Sequence, residues 1–279
     1  MSTREMGSRL FSSRPPGTHW LRFLLALGLI LHGPTGWATE PDPILLRFEV
    51  FGGPGLHFLT LRATVRQSSD DYSLVAEAET RFLADLFVDL RSKLEVHGRI
   101  SAGRYLPQAL RVETHRRGAD FHTRIDYRTD GAVVAEATPP PTREVTPVSP
   151  AQMRGTVDQL TAYLVLAQRL SQTGSCALAL AVFDGRRRYD LTFSDLPPET
   201  IPWLAAPIQV CGMSRRRIAG FPADVAGTEA RDQGKLWFAR LLPGELMVPV
   251  RMRLESEFGA FRADLKELRG RGVDLRLAE

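Results

Sequence analysis

Residues 91–100 alternate throughout: Arg91, Lys93, Glu95, His97 and Arg99 interleave with Ser92, Leu94, Val96, Gly98 and Ile100. A period of two puts every charge on one side of an extended chain, so the stretch suits a strand with one wet face and not a helix. Similar runs occupy about 44–51, 56–67, 72–80, 108–116, 119–127, 175–183, 186–194, 207–220, 235–242, 245–255 and 257–266. Turn signals separate them, among them Gly52-Gly-Pro-Gly55, Ser68-Ser-Asp-Asp71 and Pro243-Gly244. Many short strands with polar turns specify a mainly β, antiparallel chain.

Two hairpins can be registered. With Gly118-Ala119 as a two-residue loop, Arg117 faces Asp120, His115 faces His122, Glu113 faces Arg124 and Arg111 faces Asp126. Leu110, Val112, Phe121, Ile125 and Tyr127 then share the other face, so charge pairing and apolar alternation agree. Asp184-Gly185, a type I′ turn signal, pairs Leu178 with Leu191 and Leu180 with Tyr189, and sets Cys176 on their inward face. Near 236–250 the strands carry large apolar residues on both faces: Trp237, Leu241, Leu246, Val248 and Val250 on one, Leu236, Phe238, Leu242 and Met247 on the other. A strand wet on one side would alternate, so both of these faces need cover.

Two stretches break the strand rhythm. Phe82, Leu83, Leu86 and Phe87 recur at helical spacing, which predicts a short amphipathic helix over 81–88. Thr156-Val-Asp-Gln159 has the form of a capping box, and Leu160, Tyr163, Leu164, Ala167 and Leu170 continue one helical face to a stop at Gly174. Between strands and helix, Pro139 to Pro150 reads as an extended, exposed proline-rich connector.

The N-terminus reads as an address. Arginines precede the apolar run Phe23–Leu31, and Gly36-Trp37-Ala38 follows it, the pattern of a cleaved secretory signal over 1–38. Nine apolar residues make a helix of only ~14 Å, against ~30 Å of bilayer hydrocarbon. Retention as an uncleaved anchor is the alternative. Residues 39–279 then form a single β-rich domain, exported to an oxidising compartment. There Cys176 and Cys211, the only two cysteines, have one internal pairing available as a disulfide; a pair of buried thiols is the other reading.

Charge excludes a nucleic-acid reader. The formal net charge is +4, but Arg4, Arg9, Arg14 and Arg22 against Glu5 account for most of it, leaving the domain near neutral. Of 36 basic residues only Lys93, Lys235 and Lys266 are lysines and no asparagine occurs, a bias that fits GC-rich codons. The densest basic runs, Arg186-Arg-Arg188 and Arg215-Arg-Arg217, alternate faces as strands and lack interleaved stacking aromatics. They suit a solvated or headgroup-facing edge. No nucleophile elbow, zinc-protease motif, phosphate loop or calcium loop is present. His115 and His122, with Glu113 nearby, are the one arrangement that could clamp a metal; a solvent-facing ladder of charge is the preferred reading, so no cofactor or metal is expected.

Val182-Phe-Asp-Gly-Arg-Arg-Arg-Tyr-Asp-Leu191, preceded by Cys176 and by Gly155-Thr-Val-Asp-Gln-Leu-Thr-Ala162, resembles the exported bacterial proteins grouped as domain of unknown function 3108. The Gly-rich turn at 52–55, Arg217-Ile-Ala-Gly-Phe221, Trp237-Phe-Ala-Arg240 and Pro249-Val-Arg251 extend the resemblance over most of 44–268. Where that family often has Asp-Pro-Leu-Ser, this chain has Asp158-Gln-Leu-Thr161, which changes the helix start. The resemblance implies a periplasmic setting and transfers no catalytic residue.

The expected architecture is an antiparallel sheet rolled into an open or half barrel with one or two covering helices, similar to the periplasmic lipoprotein carriers of the Lol type. The expected role is non-catalytic: a hydrophobic or lipid-like ligand held by Phe82, Leu83, Leu86, Phe87, Leu160 and Leu164, in service of the cell envelope. Nucleic acid is not an expected partner, and membrane contact is at most peripheral. The alternative is a structural or interaction protein whose barrel is filled by its own side chains.

Overall fold

A computed structural model describes residues 42–53, 55–81, 89–204, 208–256 and 259–277. Among them are β1 (Ile44–Gly52), β2 (Leu56–Gln67), β3 (Asp71–Thr80), β4 (Leu90–Ser101), β5 (Arg104–Arg116), β6 (Ala119–Tyr127) and β7 (Val133–Thr138). Two helices follow, α1 (Pro150–Met153) and α2 (Gln159–Thr173). The remaining strands are β8 (Leu178–Phe183), β9 (Arg188–Glu199), β10 (Ile208–Ala219), β11 (Glu229–Ala239), β12 (Val248–Ser256), β13 (Gly259–Gly270) and β14 (Val273–Arg276).

All fourteen strands join one sheet in the order β7-β6-β5-β4-β3-β2-β1-β13-β12-β11-β10-β9-β8. It consists of two meanders, β1 to β7 and β8 to β13, fused where β1 pairs antiparallel with β13. β12 pairs with β13 from Ser256 only as far as Arg251, opposite Asp264; β14 pairs with the rest of that strand, Glu267 to Gly270. β7 and β8, consecutive strands, thus lie on opposite edges, and the chain between them must travel from one edge to the other. On the way Val145 bridges Pro222 and Val157 bridges Val182 in parallel, so the segment before α2 occupies the free edge of β8. The sheet is not closed by a β7–β8 ladder, yet the turn after β8 reaches β6. A Cβ on Gly185 would lie 2.1 Å from Thr123 Cγ2, so only glycine allows this approach.

The alternation read from sequence sorts inside from outside. On β3, Tyr72, Leu74 and Ala76 are buried, and their partners Gly98, Val96 and Leu94 on β4 share that face. Gly98 has no room for a side chain, since a Cβ would meet the Tyr72 ring at 2.5 Å and Leu106 O at 2.4 Å. The outer face is a ladder of charge, exemplified by Arg251 Nε to Asp264 Oδ1 at 2.6 Å and Arg47 Nη1 to Glu49 Oε1 at 2.8 Å. Such pairs favour solubility and strand register more than stability. β11 is buried on both faces through Leu236, Trp237, Phe238 and Ala239, as its sequence required. Phe238 and Leu236 cluster with Leu166 and Leu170 of α2, whereas Trp237 clusters with Ile201, Ile208 and Val210.

Several expectations need correction. β7 and β14 were not anticipated, and β5 begins earlier than the alternation suggested. Both hairpins are offset by two residues from the predicted register. His115 pairs with Asp120, and His122 with Glu113, because the turn is Arg117-Gly118 with φ of 53° and 72°. Positive φ at both positions is what a type I′ turn demands. In the second hairpin Leu178 pairs with Phe193 and Leu180 with Leu191. Here the Asp184 carboxylate accepts from the backbone N–H groups of Arg186 (2.9 Å) and Arg187 (2.7 Å), which opens the turn to four residues. Thr156 does not cap α2; its hydroxyl donates to Met153 O at 2.7 Å, and the N-cap is Asp158. The capping box belongs instead to α1, between Ser149 and Gln152. Gly174 ends α2 as expected, in the left-handed region at φ 68°.

Candidate functional site

α2 carries apolar residues around more than half its circumference, so it must be covered on two sides. Ala162, Leu166 and Leu170 pack with Val182, Leu191 and Phe193 of β8 and β9. Leu160, Tyr163, Leu164 and Ala167 instead border a cavity of about 340 Å³ between the helix and the concave face of the sheet. Its floor is the row Leu46, Ala63, Ala76 and Leu94, adjacent in register across β1, β2, β3 and β4. Ile44, Phe48, Leu61, Val65 and Leu74 extend that wall, and Phe238, Met252 and Leu254 close the opposite side. Two of the four floor positions are alanines, Ala63 and Ala76, paired with each other. No charged residue lines it.

The 240–247 connection adds Leu242, Leu246 and Met247 to the lining. Two contacts hold it: Met247 N–H donates to Ser171 Oγ at 2.7 Å, and Glu245 faces Arg271 at 3.7 Å. The helix is anchored at its other end by a buried polar chain. Asp158 is fully buried; its Oδ1 accepts from Leu160 N–H and Thr161 N–H at 2.9 Å each, and its Oδ2 accepts from the Thr161 hydroxyl at 2.6 Å. Tyr72 Oη lies 2.8 Å from Thr161 Oγ1 and, with that hydroxyl committed to Asp158, is the donor. The Tyr72 ring meets Tyr105 edge-on at 5.0 Å, and the Tyr105 hydroxyl donates to Gln67 Oε1 at 2.6 Å. Burial raises the Asp158 carboxyl above the usual carboxylate range, opposed by its hydrogen bonds, and pushes Tyr105 up to about 12. The Asp158 oxygens are occupied by three donors, so this buried network positions the start of the helix.

Of the six residues predicted to touch a ligand, Leu160 and Leu164 line the cavity. Phe82, Leu83, Leu86 and Phe87, and the helix predicted for them, lie outside the described residues, as does the predicted leader. Most of the lining comes from β1 to β4 and β12, whose alternation was legible but whose convergence on one space was not. Cys176 and Cys211 form a disulfide with Cα atoms 5.6 Å apart. Asp195, opposite Cys211 on β9, ties the bridge down: its carboxylate accepts from Cys176 N–H and from the Ser175 hydroxyl, both at 2.7 Å, and these bonds hold it below its ordinary range.

The histidine pair does not form. His115 lies on the outer face with Nδ1 2.7 Å from Asp120 Oδ1 and Nε2 3.2 Å from Asp89 Oδ2, contacts that raise its pKa, the Asp120 hydrogen bond foremost. Among the described residues no group of three or more His, Cys, Asp or Glu side chains is arranged to hold a metal ion, and no helix is long and apolar enough to cross a membrane.

The family profile of proteins of unknown function DUF3108 matches residues 47–266. The chain belongs to that family. No curated protein matches it. Among solved structures, the β-barrel-like protein of domain of unknown function DUF1849 from Brucella abortus is similar with a TM-score of 0.51 and 12% identity, over 83% of this chain and 98% of that one. At that identity the likeness concerns the fold alone.

Proposed function

We propose that this member of the DUF3108 family is a non-catalytic binder of a hydrophobic or lipid-like molecule, working in the periplasm in service of the cell envelope. The observation that carries the reading is the cavity of about 340 Å³ under α2, walled by aliphatic and aromatic side chains. A barrel filled by its own side chains would pair large residues across its floor, whereas here Ala63 faces Ala76. Apolar pockets of a few hundred cubic ångströms suit an acyl chain or another apolar molecule of modest size. The setting is supported by the leader-like N-terminus and by a disulfide, which persists in oxidising compartments. Native mass spectrometry of protein recovered from the periplasm should reveal a bound mass that organic solvent releases. The neutral dye N-phenyl-1-naphthylamine should fluoresce on the stripped protein and be displaced by dodecanol. No adduct together with no dye binding would refute the reading.

A further inference from the structure

Arg186-Arg-Arg188 and Arg215-Arg-Arg217 are scattered by strand alternation when read singly, but the fold gathers one member of the first run with two of the second. β10 pairs with β9 so that Arg217 faces Tyr189 and Arg215 faces Leu191, which puts both arginines on the concave face with those buried residues. The Arg215 guanidinium lies 5.5 Å from the Tyr189 ring centroid. Arg217 and Arg187, the latter from the β8–β9 turn, stand over one ring, Phe221, at 5.9 and 5.4 Å. One acid near the cluster, Asp184, has its carboxylate engaged by the Arg186 and Arg187 backbone N–H groups. Among the described residues, neither Arg187 nor Arg217 has a carboxylate within ion-pairing distance. Burial first, then the like charges of Arg187 and Arg217, lower the Arg215 guanidinium.

This cluster adjoins the cavity. Tyr163 of α2 lines the apolar space and belongs to the same apolar cluster as Tyr189, the ring beside the Arg215 guanidinium. Met213, two residues before Arg215 on the same face, crowds Gly234 together with Leu254 of the cavity wall; a Cβ there would lie 2.7 Å from Met213 Cε and 3.1 Å from Leu254 Cδ2. The apolar cluster holding Tyr163, Met213 and Met252 thus extends from the cavity lining to Tyr189, beside which Arg215 lies.

We infer that the ligand is an amphiphile with an anionic head: its tail occupies the cavity between α2 and the sheet, and its carboxylate or phosphate is held by Arg187, Arg215 and Arg217. Guanidinium forks match such oxyanions bidentately, and an anion there would supply a counter-charge to Arg187 and Arg217. The inference rests on the cavity-binding reading and adds the head group to it.

Displacement of N-phenyl-1-naphthylamine from the full-length mature protein by dodecanoate and by dodecanol separates the two claims. Dodecanoate should be the tighter competitor by about tenfold at low salt. In the Arg187→Gln/Arg217→Gln variant that preference should vanish while dodecanol affinity stays unchanged. Arg217→Lys, which keeps the charge, should retain part of it. Should the double variant fail to fold by circular dichroism, Arg187→Gln alone, at an exposed turn position, should still weaken dodecanoate selectively. Equal competition by both probes in the wild-type protein would overturn the head-group assignment and leave the cavity reading standing. If neither probe competes, both fail. A dodecanoate preference that survives the substitutions would place the head elsewhere and overturn the site. Calorimetric binding of inorganic phosphate alone, as tight as dodecanoate, would mark a free-anion site and overturn the amphiphile.

Discussion

Replacing Ala76 by leucine adds three carbons directly above the cavity floor, between Ala63 and Leu94. At about 0.8 kcal/mol per buried methylene, the gross gain is about 2.4 kcal/mol. Fixing the leucine rotamer removes about 0.5–1 kcal/mol, leaving a net stabilisation of about 1.5 kcal/mol. For a domain of this size that is a rise in Tm of about 3–6 °C. The same carbons occupy the space a ligand would use, so N-phenyl-1-naphthylamine affinity should fall by about tenfold or more, with the sign of the stability change opposite to that of binding. Ala162→Leu is the internal control. Ala162 is equally small and fully buried, but sits on the packed side of α2 among Val182, Leu191 and Phe193. There the added volume should destabilise by about 1–3 kcal/mol through overpacking. Differential scanning fluorimetry and dye titration on the same samples decide the matter. If Ala76→Leu lowers Tm as Ala162→Leu does and leaves dye binding intact, the floor is already packed and the reasoning fails.

Reducing the Cys176–Cys211 bridge releases a loop with a sequence separation of 35. Stability should fall by up to about 4 kcal/mol in the chain-entropy model, read as the difference in urea midpoints with and without reductant; coincident curves would contradict it. Asp158→Ala removes the acceptor of three hydrogen bonds at the start of α2 and should cost about 2 kcal/mol, measured by urea denaturation, while Asp158→Asn, which keeps one acceptor oxygen, should cost less. Because burial raises the Asp158 carboxyl, the folded chain holds that proton more tightly than the unfolded chain, so this residue's contribution to stability declines as pH rises from about 4 through the raised value. Asp158→Asn should remove that component of the slope, and parallel pH profiles for the two proteins would exclude it. N-terminal sequencing of exported protein should begin at Thr39; a full-length product retained at the membrane would make the leader an anchor.

What the sequence determined by itself was local. Alternation at 91–100 assigns β4 and its wet face, and Gly174 stops α2, because pleat period and backbone freedom depend on neighbouring residues alone. The apolar residues on both sides of β11 likewise announced cover on both faces, and two cysteines left one internal pairing, which the structure forms. Register was beyond local reading: a slip of two residues keeps every side chain on its own face, so hydrophobic pattern cannot distinguish Asp120 from His122 as the partner of His115. The choice fell to the backbone of Arg117 and Gly118 and, in the second hairpin, to the Asp184 carboxylate. Tertiary structure alone decided that β1 meets β13, that β7 and β8 lie on opposite edges, and hence that α2 crosses the concave face. The cavity and the arginine cluster are products of those long-range pairings. Ala63 and Ala76 become neighbours only through the pairing of β2 with β3, and arginines from separate runs come to one ring, Phe221, only because the β8–β9 turn and β10 lie side by side.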